Sequence, residues 1–232
     1  MRIGDIEVIP LSDGEGTLPK TYVPSLDWDA HADLLDADGN FQIVFGCFLI
    51  KTAGKNVLVD AGLGPITLPP YRGGDLPKGL ADAGVTPEDI DLVLLTHLHI
   101  DHIGWTAQDA KPYFTNATVR FGEKELDQFI RVENPDQFTK PVYDVLAEHN
   151  VIETICDEGE ILPGVSVLHT PGHTLGHIGI VVSSGTERAY LLGDAVTCPA
   201  QIENADWNAM SDIDPGMANR SRDALFRELE GT

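Results

Sequence analysis

The sequence predicts an α/β domain, and three observations predict it. Four short apolar runs each end in a polar residue suited to chemistry: Val57-Leu58-Val59 before Asp60, Leu92 to Leu95 before His97, Val165 to Leu168 before His169 and His173, and Tyr190-Leu191-Leu192 before Asp194. In sheets flanked by helices, ligand groups gather at strand ends, where loops can be shaped without disturbing the core. Helix signals lie between and after these runs. Finally, 232 residues, 42% apolar and 22% charged, are enough to bury the core of one large α/β unit.

In chain order, Ile6 to Leu11, Gln42 to Thr52 and Asn56 to Asp60 read as strands. The connection Thr17 to Asn40 carries Tyr22, Trp28 and His31, and the proline-rich stretch Gly64 to Gly79 carries Leu68 and Tyr71. Both lack helical periodicity, and long connections in compact domains often form lids and substrate walls. Tyr22, Trp28, Leu68 and Tyr71 are therefore candidate substrate contacts; the plainer alternative makes both stretches solvated covers. Thr86-Pro87-Glu88-Asp89 reads as a helix start and Glu123 to Arg131 as a short amphipathic helix on the outside. Near the end, Asp214-Pro215 reads as a helix N-cap followed by proline at the first helical position. Ala218, Leu225 and Leu229 follow at helical spacing, and Gly231 is the expected C-terminal cap. No repeat, low-complexity tract or linker divides the chain, so residues 1–232 are expected to form one domain.

The densest chemistry is His97-Leu98-His99-Ile100-Asp101-His102, directly after an apolar run. Neutral imidazole nitrogen and carboxylate oxygen are the donors that borderline cations such as zinc prefer. In extended chain His97 and His99 leave the same face, whereas Asp101 and His102 are adjacent and must diverge unless the backbone turns. Two neighbouring metal ions would use both directions. Single histidines are mostly not ligands, but three with an aspartate after a buried strand point to a metal centre.

Thr96 to Gly104, then His169-Thr170-Pro171-Gly172-His173-Thr174, then Leu192-Gly193-Asp194, resemble in order and separation the successive signatures of the metallo-β-lactamase superfamily of hydrolases. The resemblance runs from about Ile6 to the end. It implies an αβ/βα sandwich of two β-sheets flanked by helices. It further implies that His97, His99 and His173 hold one metal, that Asp101 and His102 hold a second, and that Asp194 bridges them. Val59-Asp60-Ala61-Gly62 resembles the family's structural aspartate, which braces the histidine loop without binding metal. Two zinc ions are the expected cofactors. Members with two metals supply a further histidine from near the C-terminus, and none follows His177 here. Two readings stand: the 232 residues lack a C-terminal strand and its ligand, or the chain is a natural variant with a weakened second site.

Met1-Arg2-Ile3-Gly4-Asp5 has no basic flank or long apolar stretch, and Val44 to Ile50 is far too short to span a bilayer, so no membrane association is expected and a cytoplasmic location is the default. Cys47, Cys156 and Cys198 are odd in number and irregular in spacing, which argues against a disulfide framework; Cys198 is read as a small buried thiol. With 37 acidic against 15 basic residues the formal charge is −22, which repels polyphosphate. The closest basic pair is Arg220 and Arg222. Nucleic acid is accordingly excluded as a partner and a small-molecule substrate expected; the oligomeric state stays open.

For such a centre the expected reaction is hydrolysis by a zinc-bound hydroxide at a carbonyl carbon, with Asp101 orienting the nucleophile and carrying the proton to the leaving group. His177 is read as a satisfied core histidine in preference to a ligand-supporting one, and His31 and His149 as surface residues. The resemblance points to lactonases and related small-molecule esterases, so a small lactone or ester is the leading substrate class. Those lactonases often place a tyrosine three residues beyond the bridging aspartate, where Thr197 stands here. The alternatives are a glyoxalase II-like thioesterase, a β-lactamase, a one-iron sulfur dioxygenase and a non-catalytic metal-binding module. A diiron oxidoreductase is disfavoured by His99 and by the chain's length.

Overall fold

The computed structural model describes residues 1–230. The first half runs β1 (Arg2–Ile3), β2 (Ile6–Pro19), β3 (Asn40–Thr52), β4 (Lys55–Val59), β5 (Thr67–Leu68), β6 (Tyr71–Arg72), α1 (Leu76–Asp82), β7 (Leu92–Leu94), α2 (Ile100–Ile103), β8 (Ala107–Gln108), β9 (Lys111–Pro112) and β10 (Thr118–Gly122). The second half runs α3 (Glu125–Phe129), α4 (Thr139–Glu148), β11 (Ile152–Ile155), β12 (Gly159–Leu162), β13 (Val165–His169), β14 (Ile178–Ser184), β15 (Glu187–Leu191) and α5 (Pro215–Glu230).

The larger sheet has the order β11-β10-β7-β4-β3-β2-β6-β5, with β1 beside β2, and the second has the order β12-β13-β14-β15. Strand parity separates two cores. Val57 and Val59 of β4 and Leu92 and Leu94 of β7 face Val165, Val167, Ile178, Ile180 and Val182 of the second sheet. The intervening Leu58 and Val93 face the helices, among Leu76, Leu80, Ile103, Phe121, Leu126 and Leu146. A period of two on strands buried on both faces requires apolar residues at every position, which is why these runs read as continuous. The result is the expected αβ/βα sandwich.

β4, β7 and β10 run parallel, so Asp60 and His97 follow the same ends of neighbouring strands, while Asp194 follows β15 across the sandwich. The chemistry collects along one rim of the two sheets.

Four expectations are corrected. β2 continues through Thr17 to Pro19, paired with β3 past a register shift between Ser12 and Glu15, so cross-strand pairing extends a segment read as loop. The rest of that connection contains two 3₁₀ turns, Lys20–Tyr22 and Ala32–Leu34. Gly64 to Gly79 is likewise structured, holding β5, β6 and the start of α1. The signal at Thr86 produces only a 3₁₀ turn, Pro87–Asp89, closed by reciprocal Thr86 and Asp89 side-chain bonds. The helix within Glu123 to Arg131 is not an outer decoration: Glu125, Leu126 and Phe129 are buried. α5 begins at Pro215 as expected, and the proposed Gly231 cap lies outside the described residues.

Candidate metal centre and its cavity

Asp60 builds the floor. It sits at φ 58°, a left-handed conformation that aspartate tolerates better than most residues. Its Oδ1 accepts the Thr96 amide at 2.7 Å and its Oδ2 accepts the Thr96 hydroxyl at 2.9 Å. The same Oδ2 lies 2.9 Å from His102 Nδ1, so one carboxylate ties β4 to both ends of the histidine segment. The segment itself turns at His99, an extended residue preceding α2, and the turn brings the His102 ring back to 4.0 Å from that of His97.

His97 Nε2 lies 2.8 Å from His99 Nδ1, and His173 Nε2 lies 3.0 Å from the same atom. Burial, with the neighbouring imidazoles, pushes His97 well below its usual range, and burial pushes His99 down to about 3. His97 and His99 are therefore neutral near pH 7, and ring nitrogens of His97, His99 and His173 converge on one point. His97, His102 and Asp194 form a second convergent group, and within each group the donor atoms lie within 4.8 Å of one another. Asp194 stands between the two groups, with Oδ1 3.4 Å from His102 Nε2 and Oδ2 3.4 Å from His173 Nε2. Asp101 Oδ2 is 3.8 Å from His102 Nε2. Burial opposes charge on His102, yet Asp60, Asp194 and Asp101 hold it well above its ordinary value. Burial opposes charge on Asp194 too, and His102 and His173 outweigh it, leaving the carboxyl far below the usual range. A buried set of imidazoles and carboxylates is the donor chemistry that zinc takes.

Several supporting residues gave no signal in the sequence. Asp212 accepts from His173 Nδ1 at 3.2 Å and from the Ala209 amide at 3.1 Å, and Arg222 of α5 pairs with its second oxygen at 3.2 Å. Arg222 is 1% exposed, so it belongs to no surface basic patch. Glu125, fully buried, accepts the Leu98 amide and the Gly176 amide, each at 2.8 Å, and so clamps the loop of His97 and His99 to that of His173. Asp13 accepts the amides of Gly64, Gly74 and Leu76 and the Trp105 indole. Only pairing across the fold identifies these carboxylates; the lone usable hint was an acidic residue, Glu125, at the start of a short amphipathic helix.

His177 is buried, as read, but it is also tied to the centre. Its Nδ1 lies 2.7 Å from Thr170 Oγ1, and its Nε2 accepts the Asp194 amide at 3.2 Å. Gly193, at φ 51°, is required there, because a Cβ would fall 2.8 Å from the Thr96 side chain and 2.9 Å from His177 Nε2. His169 is exposed at the end of β13, and Cys198 is buried. His149 is exposed, but the His31 side chain is only 14% exposed and packs against Trp207.

Asp101, His102 and Asp194 line a cavity of about 700 Å³, shared with Tyr22 and Tyr71. Its walls are largely apolar, including Ile43, Phe45, Val196 and Ile202, and no lysine or arginine is among the described residues that line it. Trp28 is not part of it: the indole stacks on Phe41 at 5.2 Å, donates to the Val23 carbonyl at 3.1 Å and is 9% exposed. Leu68 is 65% exposed and outside the lining. Both were expected to contact substrate. An aromatic in a long connection closes that connection's own small core as readily as it lines a site.

A fold of two sheets between helices, with this histidine and aspartate cluster at one rim, defines a class of metal-site proteins. The sequence model of the metallo-beta-lactamase superfamily matches residues 47–228, and the chain belongs to that superfamily. An N-acyl homoserine lactonase of a Bacillus species is 27% identical over 176 residues, which are 68% of this chain and 66% of the relative. The match thus spans just under two thirds of that relative's length. The hydroxyacylglutathione hydrolase GloC of Haemophilus influenzae is 36% identical over 105 residues, 40% of this chain and 47% of the relative. The solved structure of AidC, a dizinc quorum-quenching lactonase, superposes with a TM-score of 0.85 at 24% identity, covering 99% of this chain and 85% of that one, and shows the shared fold. No helix among the described residues is long and apolar enough to cross a membrane.

Proposed function

We propose that this protein is a metal-dependent hydrolase that opens a small, uncharged lactone or ester. The observation that carries the reading is the cavity, an apolar trough without a lysine or arginine, whose lining includes Asp101 and, from the second convergent group, His102 and Asp194. The lactonase relatives support the same reaction class. In this proposal His97, His99 and His173 hold one ion, Asp101 and His102 hold a second, Asp194 lies between them, and zinc is the ion that the donor set and the dizinc neighbour favour. Such ions lower the pKa of water toward neutrality and polarise a carbonyl.

The chain's own groups do the rest. Asp101, at the rim of the cavity, takes a proton from the attacking water at a carboxylate oxygen and returns it to the departing alkoxide. Burial raises the Asp101 carboxyl above its ordinary value, with His102 opposing, in the direction a proton carrier needs. His177 holds the Asp194 backbone and Asp212 orients His173, so both ligands are set before substrate arrives. Ile43, Phe45 and Val196 exclude water and accept an acyl or ring portion, contributing roughly 1 kcal/mol of selectivity per buried methylene. Glutathione thioesters and β-lactam carboxylates are disfavoured, because the cavity has no lysine or arginine to meet their negative charge.

Purified protein should be assayed for metal by elemental analysis and for turnover on aliphatic lactones, p-nitrophenyl esters, a glutathione thioester, a β-lactam and single-stranded RNA. Zinc and highest kcat/KM on lactones or esters are expected. Iron as the dominant metal with thiol oxidation, or a glutathione thioester preferred over esters, would replace this reading with the dioxygenase or the thioesterase; metal without any turnover would favour a binding module.

A further inference from the structure

We propose that the Tyr22 hydroxyl is a catalytic hydrogen-bond donor to the substrate carbonyl oxygen, set in place by Ser211; the inference rests on the hydrolase reading above. Tyr22 ends the 3₁₀ turn Lys20–Tyr22, and the turn is pinned to the opposite side of the site by the Met210 amide, which donates to the Tyr22 carbonyl at 2.8 Å. The ring leans on Phe41 at 6.5 Å, and the hydroxyl lies 2.6 Å from Ser211 Oγ. Ser211 Oγ in turn lies 3.4 Å from His173 Nδ1. Tyr22 is thus one side chain removed from a proposed metal ligand, and its ring lines the same cavity as Asp101 and Asp194.

Thr197 Oγ1, which also lines the cavity, is buried without a partner, whereas two other polar groups of that wall are committed elsewhere. The Gln42 amide donates to Glu15, and the Thr96 hydroxyl is held by Asp60. Each hydroxyl of the Tyr22–Ser211 pair can donate once and accept. With substrate present, Ser211 donates to Tyr22 and the Tyr22 proton turns to the carbonyl oxygen, a chain in which each bond polarises the next. Burial, with Asp194, Asp101 and Asp212 nearby, pushes the Tyr22 phenol up to about 12, so the donor keeps its proton throughout the working range. The proton never leaves Tyr22. Water supplies the oxygen that bonds to the acyl carbon, the bond from that carbon to the leaving alkoxide breaks, and the hydrogen bond tightens as charge builds on the carbonyl oxygen.

The test compares wild type, Tyr22→Phe and Ser211→Ala at equal metal content, on an aliphatic ester and on its thionoester, whose C=S sulfur is a poor acceptor. Tyr22→Phe should lower kcat/KM on the ester by about tenfold to a hundredfold, with part of the loss in kcat, and Ser211→Ala by a smaller factor. On the thionoester the Tyr22→Phe penalty should shrink to less than about twofold. Unchanged kcat on the ester, or an equal loss on both substrates, overturns the proposal. Binding of a non-hydrolysable lactam, measured by calorimetry, separates this inference from the function beneath it. If wild type cleaves no ester, the hydrolase reading fails. In that case a lactam affinity about tenfold weaker in Tyr22→Phe still supports the hydrogen bond, and equal affinity overturns it.

Discussion

Glu125→Ala should weaken both the fold and the metal centre. The carboxylate accepts the amides of Leu98 and Gly176 at 2.8 Å each, in a site with no solvent access. Truncation leaves two buried N–H groups without partners, at about 1–3 kcal/mol each. Part of that loss is offset, because burial already disfavours the charge and raises the Glu125 carboxyl above its ordinary value. A net destabilisation of about 3 kcal/mol remains, a substantial share of a typical domain stability of about 5–15 kcal/mol. In urea, with a slope of about 3 kcal/mol per molar for a chain this long, the midpoint should fall by about 1 M. Leu98 lies between His97 and His99, and Gly176 follows His173 by three residues, so loss of the clamp also lets two ligand loops drift apart. Metal affinity, read by competition with a chelator, should fall by about tenfold to a hundredfold, as for other groups that hold ligands in place. Glu125→Gln keeps one acceptor and should be intermediate in both assays. An alanine variant within about 0.5 kcal/mol of the parent in metal-free urea unfolding, with unchanged metal affinity, would refute the clamp.

His173→Ala should reduce bound metal sharply, whereas Asp101→Asn should retain most of it and lose on the order of a hundredfold in turnover, since an amide cannot take the proton; wild-type turnover in a fully loaded Asp101→Asn removes Asp101 from the mechanism. Burial holds the Asp13 carboxyl above its ordinary value, against the opposing amides of Leu76, Gly64 and Gly74 and the Trp105 indole. The folded state therefore binds that proton more tightly than the unfolded chain. The stabilisation is fully present below the unfolded value of about 3.9 and is lost as pH rises through the folded one. The stability of wild type relative to Asp13→Asn should thus fall as pH rises from about 4, and a gap that widens with pH contradicts this. Trp28→Ala should cost about 3–5 kcal/mol by emptying the small core around Phe41 while leaving KM unchanged; Tyr71→Ala should do the reverse, and a raised KM in Trp28→Ala with parental stability would return Trp28 to the substrate wall.

The apolar runs, the strand ends, the five residues of the convergent clusters and Asp101 beside them were legible in the sequence. Their signals are local: a period of two marks a buried strand, and a histidine triplet after it has few other uses. Tyr22 and Tyr71, singled out by composition, line the cavity, whereas Trp28 and Leu68, singled out by the same argument, do not, since an apolar residue in a long connection carries no mark of the surface it will meet. The terminal helix was legible from its cap and spacing, yet nothing in the spacing marks Arg222, one of the closest basic pair, as a residue that the fold buries against Asp212. Asp13, Glu125, Asp212 and the work of His177 were invisible for one reason. Each makes at least one bond to a group between 10 and 92 residues away along the chain. A carboxylate in a sequence looks the same whether it will face water or three amide protons. Its partners exist only once the sheets have stacked, so local chemistry decided which residues gather at the rim and the tertiary structure decided what holds them there.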